Sequence, residues 1–157
     1  MIQRIQTLWL FFATLVLSGL FLFPFVNFID LVGLGKQIYV TGMYSANNNA
    51  RVQESSSVLL AVYAGLVALL PLCIIFLYKN RKQQMRFIMI EIALTILLGV
   101  WMWSQAFATL DTINQTVGVN NVGVGFFLLP VAVILLAMAI GGIRKDEKLI
   151  KSADRLR

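Results

Sequence analysis

The sequence predicts an all-α integral membrane protein, a bundle of four transmembrane helices with its N and C termini in the cytoplasm. Three observations predict it. Of the 157 residues 59% are apolar and only 13% charged, against roughly 45–50% and about 25% in soluble proteins, and the mean hydropathy is +0.83. That surplus is too large for the core of a single domain of this length, so something other than water must cover the outside. Four stretches reach the roughly 20 apolar residues that a helix needs to cross a hydrocarbon core of about 30 Å. Finally, the basic residues gather on one side of those stretches.

The first span is expected at residues 5–26. A cleaved signal peptide is the rival reading, but Arg4 is its only base and Phe23-Pro24-Phe25-Val26-Asn27 lacks a small-x-small cleavage pattern. An outer loop follows over 27–57. Its first part, Asn27 to Tyr44, holds the β-formers Phe28, Ile29, Val32, Ile38, Tyr39, Val40 and Thr41 around Gly33-Leu34-Gly35, which predicts a short β-hairpin at the membrane surface. Its second part, Ser45 to Ser57, is polar and predicts a mobile segment. Four helices with a strand-bearing outer loop resemble claudin-like proteins superficially. The chain lacks that group's paired loop cysteines and tryptophan signature, so the kinship is rejected.

The second span is expected at 58–78, a basic cytoplasmic turn at 79–86, the third span at 87–108, a second outer loop at 109–123, and the fourth span at 124–143. Backbone groups in lipid must bond within their own segment, which forces the helical reading. Residues 144–157 then prolong the fourth helix as a basic amphipathic tail, with Leu149, Ala153 and Leu156 on one face.

Charge fixes the direction. Arg4, the bases of the 79–86 turn and those of the tail fall on one side, and only Lys36 and Arg51 of the 13 basic residues fall on the other. By the positive-inside rule the crowded side is cytoplasmic. The net charge of +6 therefore records orientation in a membrane, and no DNA-binding footprint is read from it.

Few residues carry chemistry. Glu91 is the one ionisable residue inside a span, a functional-site candidate by default. The plainer expectation is an intramembrane ion pair with Arg4 or Arg144. The sharper one is a proton- or cation-coupled site, as in the small multidrug-resistance transporters, whose acid lies deep in the first of four helices. Pro71 and Pro130 interrupt spans two and four and free the carbonyls of Val67 and Phe126. Ala61/Gly65 and Ala137/Gly141 are small residues at four-residue spacing, suited to close helix packing.

The single Cys73 excludes a paired-cysteine redox centre, and the absence of His excludes imidazole metal sites and His-based catalysis. No cofactor, metal or catalytic site is expected. The match of Asn114-Gln115-Thr116 to a glycosylation sequon is given no weight. The tail bases Arg144, Lys145, Lys148, Lys151, Arg155 and Arg157 admit two readings. One is an anchor on anionic lipid headgroups, where each base contributes about 1 kcal/mol. The other is a docking helix for an acidic protein or for ribosomal RNA.

Four strings together resemble a known family: Met1-Ile2-Gln3-Arg4-Ile5-Gln6-Thr7, Tyr78-Lys79-Asn80-Arg81-Lys82, Asn121-Val122-Gly123-Val124-Gly125-Phe126-Phe127, and the closing stretch from Ile143 to Arg157. The chain resembles the four-span inner-membrane proteins of Bacteroidota grouped as domain of unknown function 4293, a likeness that covers both ends and two turns of the sequence. The resemblance implies a multi-pass place in the bacterial inner (cytoplasmic) membrane. It implies no reaction, ligand or site residues.

Three functions follow as expectations. The first is a non-catalytic accessory or scaffold subunit of a larger membrane assembly, with protein biogenesis the favoured setting. Its partners would be the lipid bilayer, other membrane subunits and a cytoplasmic partner at the tail. The alternative is a small ion- or proton-coupled transporter using Glu91. The third is a lipid- or quinone-binding membrane module.

Overall fold

The computed structural model describes residues 3–29, 34–47, 50–78, 80–111, 118 and 121–155; at the ends of several elements, Arg4, Lys151 and Arg155 among them, it describes the backbone alone. The order is helix α1 (Gln3–Ser18), a 3-10 turn (Gly19–Phe21), strands β1 (Val26–Ile29), β2 (Gly35–Tyr39), β3 (Gly42–Asn47) and β4 (Ala50–Ser56), then helices α2 (Val58–Ile75), α3 (Arg81–Asp111) and α4 (Val124–Arg155).

The helices close a ring in which α1 packs on α2 and α4, and α3 packs on the same two. Each carries apolar residues on more than one face. Leu10, Ala13 and Leu17 of α1 are fully buried, while Leu8, Phe11, Phe12 and Leu15 of the same helix are exposed. Leu66, Leu69, Ile96, Leu97, Val100, Val131 and Ile134 extend that apolar exterior over the other three helices. An apolar surface of this extent needs a non-aqueous neighbour. Helices α2, α3 and residues 124–149 of α4 are long and apolar enough to cross a membrane, and Ile5–Phe21 is a shorter apolar helical segment.

Helix α1 stops well before Val26, the end expected for the first span. Pro24 cannot continue a helix, and Phe25 and Val26 are drawn into the sheet, where Phe25 N–H donates to the Ile38 carbonyl at 2.9 Å. Arg81, Lys82 and Arg86 belong to α3; the connection between α2 and α3 is the short stretch 76–80. Asn80 opens α3, its carbonyl accepting from Gln84 N–H at 2.9 Å. The tail to Arg155 is continuous with α4.

The outer loop corrects the expectation most. A four-stranded antiparallel meander in the order β1-β2-β3-β4 replaces the single hairpin, and Ser45 to Asn47 with Ala50 to Ser56, in the segment expected to be mobile, form most of its second half. Polar composition did not prevent strand formation because only one face of such a sheet must be dry. Val26, Phe28, Ile38 and Ser45 are buried on the face toward the bundle, whereas residues 52–56 of β4 are exposed. Lys36 reaches Glu54 across the sheet at 2.8 Å. Gly42 turns β2 into β3 at φ +147°, where a Cβ would collide with the Ser55 carbonyl. Val26 also bridges to Val122, tying the sheet to the entrance of α4.

Candidate functional site

The apolar core is two clusters rather than one, an outer one at the sheet end of the bundle and an inner one at the end where Gln6 meets Asp146. The outer cluster joins Phe25, Val26, Phe28, Ile38 and Val40 of the sheet region to Leu17, Leu20, Leu60, Ala64, Val67, Leu98, Met102 and Leu129 of the helices. The inner cluster gathers Leu10, Ala13, Ile74, Ile88, Leu136, Ala139 and Ile143. Between them lies a buried layer that is not apolar. On α1, Thr14 falls between Leu10 and Leu17; on α3, Glu91 and Thr95 fall between Ile88 and Leu98; on α2, Pro71 falls between Ala68 and Ile74. Thr14, Glu91 and Thr95 are 7%, 0% and 0% exposed.

The hydroxyls here are satisfied locally. Thr95 donates to the Glu91 carbonyl at 2.9 Å, Thr14 to the Leu10 carbonyl at 3.2 Å, and Tyr63 across to the Leu94 carbonyl at 3.1 Å. Neither carboxyl oxygen of Glu91 has a hydrogen-bond partner among the described residues. Two bonds fix the antiparallel register of α2 on α3: Tyr63 to Leu94, and Gln84 Nε2 to the Ile74 carbonyl at 3.4 Å. That register sets Glu91 level with Val67, whose carbonyl loses its helical donor because Pro71 has no N–H.

A second polar group closes the inner end. Gln6 Nε2 donates to Asp146 Oδ2 at 2.6 Å, with both residues 5% exposed; Asp146 Oδ1 has no partner among the described residues. Sequence reading missed this bond across nearly the whole chain. Its one signal was that Asp146 follows Ile143 by three residues and so shares the core-facing side of the helix.

The expected residues are distributed as follows. Glu91 is in the bundle interior, while Arg144 is exposed on α4 and the structure does not bring the two together; the Arg4 side chain lies outside the described residues. Lys145 and Lys148 are exposed with Arg144. The side chains of Lys151 and Arg155, the whole of Arg157 and the 114–116 sequon lie outside the described residues. Arg81 and Lys82 line an open cleft of about 390 Å³ with Asn80, Gln83 and Glu147. Gly65 meets the Phe21 ring and Ala61 is half-buried, but Ala137 and Gly141 are exposed, and nothing lies within 4 Å of a Cβ placed on Gly141.

Close approach is made by other glycines. Gly142 faces Gln6, Gly99 faces Leu129 and Gly19 faces Leu128, and a Cβ added at each would meet that side chain at a tight 3.1, 3.2 and 3.1 Å. At the entrance of α4, Gly123 and Gly125 donate to the carbonyls of Phe25 and Pro24 at 2.8 and 2.9 Å, and a Cβ on either would collide with the Pro24 carbonyl. Among the described residues no group of three or more His, Cys, Asp or Glu could hold a metal ion, and Cys73 is exposed.

The fold and this interior define a helical protein of membrane type, capped by a small antiparallel sheet and carrying a buried polar layer. The chain belongs to the family described as domain of unknown function DUF4293, which matches residues 2–156. A search of the curated proteins finds no match.

Proposed function

We propose that this protein is a non-catalytic, multi-pass accessory or scaffold subunit of a bacterial inner-membrane assembly. It crosses the membrane four times with both termini in the cytoplasm and docks partners through its basic inner end, with protein biogenesis as the setting. The observation that carries this reading is the distribution of charge at that end. Arg144, Lys145 and Lys148 are exposed on α4, whose Glu147 lines the cleft with Arg81 and Lys82, while Asp146, an acid of the same stretch, is withdrawn to Gln6. The described surface of the tail is thus more basic than its composition. It suits an acidic protein or the phosphates of ribosomal RNA, the latter with a steep loss of affinity in salt.

The test is affinity purification in mild detergent with mass spectrometry. Stoichiometric membrane or ribosomal partners are expected with the full chain and should be lost on deleting 144–157. Recovery of a homodimer alone would overturn the subunit reading.

A second reading, ion- or proton-coupled transport, is favoured by one observation, the burial of Glu91 with no partner for its carboxyl oxygens among the described residues. Glu91→Gln should abolish flux under that reading and leave partner recovery unchanged.

A further inference from the structure

We propose that Glu91 is a proton-binding site inside the bundle and not one half of an ion pair. The inference deepens the ion-coupled reading and rests on it only for the choice of residue. An uninterrupted apolar interior would serve a purely structural bundle better, since each buried polar group must recover the hydration it loses. Here the two apolar clusters stop on either side of Thr14, Glu91, Thr95 and Pro71. By the helix registers, Thr14, Thr95 and Pro71 each lie within about a turn of the level of Glu91.

Room for the carboxyl is made by small residues. Ala13 of α1, Ala64 and Ala68 of α2 and Ala139 of α4 are all buried, and the helix registers place them within about a turn of Glu91. No base faces this layer among the described side chains. Helix α1 presents Leu10, Ala13 and Thr14, α4 presents Ala132, Leu136 and Ala139, and α2 presents Tyr63 as its titratable group. Arg144 is exposed. The backbone of Arg4 lies in the first turn of α1, two residues before Gln6, which is held at the inner end by Asp146, more than two turns from Thr14.

A carboxylate with no donor and no counter-charge would keep the whole desolvation penalty of its charge. A proton removes that charge and adds one O–H donor. At about the level of Glu91 lies the Val67 carbonyl, which Pro71 leaves without its helical N–H donor. A group that is neutral when loaded and charged when emptied changes the electrostatic state of the seam between the two clusters, which is the property that proton coupling requires.

Infrared spectroscopy of the full-length protein in lipid bilayers tests the proposal, comparing wild type with Glu91→Gln and using ¹³C-labelled glutamate. The expected result is a carboxylic-acid C=O band that moves on labelling, shifts in D₂O and is missing from the variant. A carboxylate band assigned to Glu91 in its place would overturn the proposal, and so would replacement of the acid band by a carboxylate band on adding sodium, which would assign the site to a metal cation. The thermal midpoint gives a second, independent readout. Glu91→Gln, the amide analogue of the loaded acid, should match the wild type, whereas a drop that Arg4→Met reverses would establish the ion pair. Proton occupancy and flux are separate measurements, so the site can stand where transport fails.

Discussion

The outer and inner halves of the bundle are built on different terms. In the outer half the contacts are apolar and backbone-tight: the sheet lowers Val26, Phe28 and Ile38 onto Leu17, Leu98 and Met102, and Gly123 and Gly125 bond α4 directly to the chain at Pro24 and Phe25. In the inner half the helices are joined by fewer apolar residues and by buried polar groups, Gln6 with Asp146 and Gln84 with the Ile74 carbonyl. Close packing has no tolerance for added volume, whereas a polar contact fails only when one partner is removed. One half is therefore defined by shape and the other by hydrogen bonding. The charged surface proposed for docking lies on the second.

The largest effect is expected where the outer half is tightest. Gly125→Leu drives a side chain into the carbonyls of Phe23 and Pro24, which no rotamer can avoid, and should cost more than about 3 kcal/mol. Loss of membrane-inserted protein, or a collapse of the thermal midpoint in detergent, is the readout; a stable, well-expressed variant would show that the α4 entrance is not the clamp described. An intermediate effect is expected from Gln6→Leu. It leaves both Asp146 oxygens buried without a donor and should cost roughly 1–3 kcal/mol, while Gln6→Leu combined with Asp146→Leu should recover much of that loss. Additive losses in that double variant would mean that the pair is not an interacting unit. The smallest effect is expected at Gly141, which faces open space. Gly141→Ala should raise the stability by up to about 1 kcal/mol through helix propensity, read as a higher thermal midpoint. A loss there would reveal a subunit packed on this face.

How much of this was legible in the sequence depends on the range of each interaction. The apolar helices were legible because a run of 20 apolar residues has few other solutions. The prolongation of α4 past Ile143 was visible in the spacing of its residues. The sheet was half legible: β-formers marked β1 and β2, but β3 and β4 are polar and take their order from pairing, β3 with Lys36 to Tyr39 and β4 with β3, which composition does not record. The string Asn121-Val122-Gly123-Val124-Gly125 was noticed as a family likeness, and its physical meaning, two glycines against the Pro24 carbonyl, needed the fold.

Glu91 stood out as a lone acid in an apolar run, yet its full burial with no hydrogen-bond partner among the described residues needed the packed helices. The stripe Ala137/Gly141 shows the converse. Spacing alone selected it, and the contact falls one residue away at Gly142, because a helix position one residue on is turned by about 100°.

By itself, then, the sequence determined the apolar, mostly helical character of the chain and the end at which positive charge collects. Those follow from transfer free energies summed over neighbouring residues. The tertiary structure decided which faces meet, that the outer loop closes into a four-stranded cap, that Asp146 turns inward and that the core is split around Glu91. Each of these depends on distances between residues remote in the chain, and a side chain's solvation is settled only when its neighbours arrive.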